Sequence, residues 1–409
     1  MTMTKRKEIL FALITLVIIT GVAEIGFRYF FGIRNQGNTL EVKTLGAYRD
    51  KPWVDQYFKD GIECQNQLLG GRGEVYERYV THDLLYTCAT QYVNYDGKTR
   101  TRKTWNPDPA SLPGGIETRT IGFFGGSTML GVGVPDDVTI PSHFSKLANG
   151  EANARGVNYL VKNYGVSSYT FTQSLMKLIL LLREGERFDY VIFYGGANDI
   201  DNAYAAGEAG ALYNEDVLRR KLEGGLATEL KEFAKVQINS CGICRAILTV
   251  SRNTPVLRDY LTPYLVKLRR AVLFQEGQKK DDRGIAEFGK DIADYYVKSH
   301  ELLDSLSRAY GFTYVEFWQP SLMYGGEPVG DEVRIFASDN RLTDEKLTTL
   351  YRSTRERVRS AKLKNFYDIS DALDGRKDSY YLDAVHIGDD GNGDVAKSMF
   401  KSIGDNLPR

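Results

Sequence analysis

Two short stretches, far apart in the chain, hold the residue types of nucleophilic catalysis. The first is Gly125-Gly126-Ser127-Thr128, which follows an apolar run. Glycines there let the backbone turn tightly and leave the serine hydroxyl exposed at the tip. The second is Asp383-Ala384-Val385-His386 near the C-terminus. A carboxylate three residues before an imidazole lets one turn present Asp383 to one ring nitrogen. The other nitrogen then faces a nucleophile, as an activated serine requires. The chain has four histidines, and only His386 has this arrangement. His143 and His300 fall in helical text among polar residues and His82 in an irregular region, so all three read as packing or surface residues.

Two further stretches could stabilise negative charge. Asn163-Tyr164-Gly165 and Gly195-Gly196-Ala197-Asn198-Asp199 each close an apolar run. A backbone N–H at Gly165 and the side-chain amide of Asn198 are suitable donors to a developing oxyanion. Taken singly, each stretch also has the composition of an ordinary turn. Competing chemistries fit less well. No GK[ST] follows the first glycines, so they do not form a phosphate loop, and GGSTMLGVG lacks the GxGxxG spacing of a dinucleotide fold. No His or Cys near His386 in sequence suggests metal ligands.

These residues need a frame that brings strand ends together. Residues 119–124 (RTIGFF), 157–162 (VNYLVK), 188–194 (FDYVIFY) and 312–317 (FTYVEF) read as buried strands. Residues 140–147, 172–182 and about 285–310 read as helices between them. Strands alternating with helices predict an α/β domain, its parallel sheet covered on both faces. In such a sheet ligands bind at the carboxyl ends of the strands, where the glycine-rich stretches fall. Residues 35–117 carry no strong periodicity and read as an irregular or short-stranded lead-in packed on the domain at 118–409. A long insertion, about 203–283, holds candidate helices at 215–236 and 256–274.

The order GGST, NYG, GGAND, DAVH resembles the SGNH hydrolases, also called the GDSL family, over about residues 118–405. The resemblance implies a three-layer, flavodoxin-like fold. It also implies Ser127 as nucleophile, Asp383 and His386 as acid and base, and an oxyanion hole of Ser127, Gly165 and Asn198. No metal or organic cofactor is needed. One departure is visible: Gly126 stands where the family's aspartate would be. That aspartate is not a triad member, so the departure bears on substrate or subfamily rather than on catalysis. The segment 317–322 (FWQPSL) also has the look of a family segment, with Trp318 reading as core and Gln319 as rim.

The formal net charge is zero, which gives no electrostatic case for nucleic-acid binding, and 42% hydrophobic residues suit a packed core. Lys5-Arg6-Lys7 precedes an apolar run at 9–22, and Glu24 and Arg28 are spaced to pair on one helix reaching about residue 31. This predicts a membrane signal anchor over residues 1–34, with a cleaved signal peptide as the alternative, and an extracytoplasmic catalytic domain. The four cysteines, Cys64, Cys88, Cys241 and Cys244, fit disulfides in that compartment, with three connectivities open. The expected activity is hydrolysis of a short acyl ester, such as acetyl, on an envelope polysaccharide or lipid. An O-acyltransferase and a non-catalytic binding domain are the alternatives.

Overall fold

The computed structural model describes residues 42–67, 76–152, 156–213, 215, 284–324, 327–339, 341–404 and 407. Everything below belongs to one compact unit, Lys43–Tyr213 with Gln278–Arg409. The expected membrane helix, Cys241, Cys244 and, but for Glu215, the candidate helices at 215–236 and 256–274 lie outside the described residues. No described helix is long and apolar enough to cross a membrane.

In chain order the unit begins with helix α1 (Val54–Gln67) and three short strands, β1 (Cys88–Ala89), β2 (Asn94–Asp96) and β3 (Thr101–Arg102). Then come β4 (Glu117–Gly125), the single turn α2 (Ser127–Leu130), α3 (Ile140–Ala152), β5 (Val157–Asn163), α4 (Phe171–Arg183), β6 (Tyr190–Gly195) and α5 (Ala197–Ala206). After the insertion follow α6 (Ile285–Tyr310), β7 (Thr313–Trp318), α7 (Glu332–Ser338), α8 (Glu345–Ser360), β8 (Phe366–Asp368) and α9 (Asp389–Ile403). The eight strands form one sheet in the order β1-β2-β3-β5-β4-β6-β7-β8.

The last five strands in sequence are mutually parallel. Their order, second-first-third-fourth-fifth, is that of flavodoxin-like sheets, with the topological switch between β4 and β6. The expectation of a wholly parallel sheet needs correcting. The lead-in adds β1–β3 antiparallel at one edge, where Arg102 pairs with Asn163 of β5. Strands of two or three residues are too short to show a period of two, while an uncovered β5 edge would expose a row of unpaired backbone groups. The α1 helix is likewise absent from the sequence reading, and residues 203–206 belong to α5 rather than to the insertion.

Alternate side chains of the central strands point to opposite faces, and aromatic contacts record the two layers. Phe123 meets Phe144 of α3 at 5.1 Å between ring centroids, and Phe144 meets Phe400 of α9 at 5.7 Å. On the other face Phe124 stacks on Phe193 at 5.4 Å, Phe193 meets Phe171 of α4, and Phe171 stacks on Tyr296 of α6 at 4.6 Å. All of these rings except Phe400, which is half-buried, are buried. The sheet is therefore clamped between helices, and its carboxyl edge is the fixed platform of the site.

Candidate active site

Ser127 follows β4 through Gly125 and Gly126. A side chain at Gly125 would run into the Tyr194 carbonyl of β6, and one at Gly126 would overlap the Asn198 amide. The absent aspartate at 126 thus leaves the space that Asn198 fills beside the serine. The turn α2 ends at Gly131, whose φ of 88° is readily adopted only by glycine. The Gly131 and Val132 N–H groups return to the Ser127 carbonyl at 2.9 and 3.0 Å.

His386 lies across from it. Its Nε2 is 2.7 Å from Ser127 Oγ, and its Nδ1 is 2.6 Å from Asp383 Oδ2. Asp383 Oδ1 accepts the backbone N–H groups of Val385 and His386, both at 2.8 Å. Partial burial works against the charge on Asp383. The bond and charge of His386, with the two N–H donors, outweigh it and hold the carboxyl at about 2. An ionised Asp383 accepts the Nδ1 proton, which leaves the Nε2 lone pair for the serine O–H. The turn carrying both residues is closed by Leu382 N–H to the His386 carbonyl at 2.8 Å. The segment after β7 braces it: Ser321 Oγ and Leu322 N–H both donate to the Ala384 carbonyl at 3.0 Å.

Gln319 is not a rim residue. Its N–H extends the ladder to Gly195, which draws the side chain inward to 3% exposure, and its Oε1 accepts from Thr128 Oγ1 at 3.4 Å. Trp318 is buried, under Gly196.

Gly165 does not serve as expected. Its N–H donates to Asn163 Oδ1 at 3.0 Å, and a side chain there would strike the Leu130 backbone, so it is a close-packing glycine against α2. The loop that follows lies nearer the site. Three successive carbonyls are held by side-chain donors: Ser167 by His82 Nε2 (2.9 Å), Ser168 by Asn202 Nδ2 (3.4 Å) and Tyr169 by Asn198 Nδ2 (2.9 Å). Of the N–H groups in those three peptides, Tyr169 donates to Val166 and Thr170 to Gln173 Oε1. The Ser168 N–H donates to no group among the described residues. Ser168 sits at φ 60°, a left-handed conformation unusual for serine.

Several supporting residues escaped the sequence reading. Arg102, 2% exposed, pairs with Asp136 at 2.8 Å and donates to the carbonyls of Leu130, Gly131 and Val134 at 3.0, 2.5 and 2.6 Å. Gly133 in the same loop is gripped by Tyr48 (hydroxyl to carbonyl, 2.9 Å) and donates its N–H to the Tyr57 hydroxyl at 2.8 Å. Glu332, fully buried, accepts the Tyr380 and Tyr381 N–H groups at 2.9 and 3.1 Å and pairs with Arg376, which sets the approach to Asp383. No sequence motif marks any of them. Buried charge lying between poorly periodic segments is visible only in three dimensions. Among the described residues no cluster of three or more His, Cys, Asp or Glu is placed to hold a metal ion.

No family model matches the sequence, and no curated protein matches it. Among solved structures the chain is similar to a lipolytic protein of the G-D-S-L family from Veillonella parvula (12% identity, 70% of this chain and 98% of the other, TM-score 0.34). It is similar also to a carbohydrate acetylesterase from Sinorhizobium meliloti (12%, 70% and 99%, TM-score 0.35). An aryl esterase from M. smegmatis is a third (13%, 71% and 100%, TM-score 0.31).

Proposed function

We propose that this chain is a serine esterase of the SGNH type that removes a short acyl group, such as acetyl, from a carbohydrate or lipid of the cell envelope. The observation that carries the reading is the relay Ser127 Oγ–His386 Nε2–Asp383, with links of 2.7 and 2.6 Å. His386 takes the proton of Ser127 as Oγ attacks the ester carbonyl. Asp383 holds the tautomer and stabilises the imidazolium. The oxyanion is met by the Ser127 N–H at the start of α2, by the Ser168 N–H in place of Gly165, and by the second amide hydrogen of Asn198. The alcohol leaves with the proton from His386, and water then releases the acyl group from Ser127 by the reverse sequence.

The envelope assignment draws on the basic flank and apolar run at 5–22, read as a signal anchor, and on the Cys64–Cys88 disulfide, which suits an oxidising compartment. The N-terminal residue of the mature protein tests anchor against cleaved signal.

The activity is tested with aryl esters from acetate to octanoate. Acetate turnover that disappears in Ser127→Ala and His386→Ala supports the esterase. An acyl-enzyme burst accelerated by added sugars identifies an acyltransferase instead. A folded protein that turns over no ester and is not labelled at Ser127 by a fluorophosphonate overturns the reading.

A further inference from the structure

The lead-in contributes more than an edge to the sheet. His82, 8% exposed, reaches across from it to the loop between β5 and α4, where Nε2 lies 2.9 Å from the Ser167 carbonyl. A carbonyl only accepts, so this nitrogen carries the hydrogen. The grip is reciprocal: Tyr169 donates its hydroxyl to the His82 carbonyl at 2.5 Å, and Gln173 Nε2 donates to the Val80 carbonyl at 2.9 Å. Tyr79 and Thr81, flanking Val80, have φ values of 69° and 71°. Two left-handed non-glycine residues within three positions are disfavoured, and persist only where surrounding contacts over-determine them.

We propose that His82 is a positioning residue for the oxyanion hole. This rests on the esterase reading above. The peptide joining Ser167 and Ser168 is planar and trans, so its C=O and N–H point in opposite directions. Pinning the Ser167 carbonyl towards His82 therefore aims the Ser168 N–H away from the lead-in. The loop lies against the nucleophile: the Tyr169 carbonyl would be 3.3 Å from a Cβ placed on Gly126, next to Ser127. Without the pin, the peptide can rotate and relieve the left-handed conformation of Ser168, and its N–H is then lost to the oxyanion. The Asn202 and Asn198 contacts hold the next two carbonyls but leave the Ser167–Ser168 peptide to His82.

The test uses the full-length chain, with p-nitrophenyl acetate turnover, fluorophosphonate labelling and thermal melting measured together. His82→Ala is expected to lower kcat by roughly ten-fold or more, below the 10²–10³ range typical for deleting an oxyanion donor outright, with KM nearly unchanged. His82→Gln, which offers an N–H at similar reach, is expected to recover most of it. Adding Ser168→Gly to His82→Ala should also recover part of kcat, because glycine holds φ near 60° without penalty. A purely structural role for His82 predicts no such rescue. The inference is overturned if His82→Ala retains wild-type kcat. It is overturned equally if kcat is lost in a protein that melts normally and neither the His82→Gln replacement nor the added Ser168→Gly change restores it. A wild-type chain that neither turns over ester nor labels at Ser127 instead defeats the esterase reading.

Discussion

The carboxyl edge of the parallel sheet and the lead-in that borders it are built on different principles. Along the sheet, position comes from backbone ladders: β4 pairs with β5 and β6 over most of its length, so Ser127 and Asn198 emerge side by side at the topological switch. In the lead-in the strands are two or three residues long, and position comes from buried side chains. Arg102 pairs with Asp136, Lys177 of α4 with Asp83 at 2.6 Å, both partners fully buried, and Cys64 with Cys88. Regular structure decides where Ser127 and Asn198 come out. Irregular structure, by placing donors on loop carbonyls, decides what shape the loops beside them hold. The division predicts that damage to the sheet edge is chemical, while damage to the lead-in is mechanical.

The largest effect should come from the chemical side. Asp383→Asn is expected to lower kcat on aryl acetate by about 10⁴-fold, since the imidazole loses its tautomer partner while the shape is conserved. A loss smaller than ten-fold would remove Asp383 from the relay. The same substitution changes the acid limb of stability. The folded carboxyl at about 2 lies below its unfolded value near 4. Its contribution is therefore present above pH 4 and is lost as pH falls towards 2, a decline in denaturant midpoint that the Asp383→Asn variant should lack.

Next is Arg102→Met on the mechanical side. It strands a buried Asp136 and frees three carbonyls of the loop after Ser127, and should cost about 3–5 kcal/mol in urea unfolding. Equal stability in wild type and variant would mean that the lead-in does not brace that loop. Because Arg102 holds three carbonyls of this loop, where His82 holds a single peptide, KM and kcat should shift together here rather than kcat alone.

The same division explains what could be read from the sequence. Residues 119–124, 157–162 and 312–317 each form apolar runs rich in β-branched or aromatic residues, and each lies largely in a sheet strand. The Asp383–His386 spacing was legible because a four-residue turn needs no tertiary information. Gly165 misled for the opposite reason. An Asn-x-Gly at a strand end has two uses, and only the packing against Leu130 and the bond to Asn163 separate them. Ser168 and His82 were invisible: one acts through its backbone, and the other lies 85 residues from its partner. Gln319 was misplaced because one additional ladder bond to Gly195 turns a polar side chain inward.

A subtler probe of the sheet side is Asp199, half-buried beside Asn198. Burial raises its carboxyl to about 7, against the opposing backbone donors of Phe171, Asp199 and Gly196. The folded state thus holds this proton where the unfolded state has released it. Stability from this group is greatest below about pH 4 and falls as pH rises through 7. Asp199→Asn still accepts the Phe171 N–H, and should flatten the melting temperature between pH 4 and 8. An unchanged slope would place the titration elsewhere.

The smallest effect separates the two regions most cleanly. Cys64 and Cys88, 24 residues apart, tie α1 to β1 within the lead-in. Replacing both with Ser releases a loop whose closure is worth about 3 kcal/mol in the chain-entropy account, so the denaturant midpoint should fall accordingly. Catalysis should not follow. The grip on the nucleophile loop runs through Arg102, Tyr48 and Tyr57, and the grip on the oxyanion loop through His82, none of which needs the disulfide for its own hydrogen bonds. Under native conditions the double variant should therefore keep wild-type kcat. A parallel loss of kcat and stability would show that the lead-in transmits strain as one body. The distinction between chemical edge and mechanical brace would then have to be drawn inside the lead-in, between α1 and the segment carrying His82.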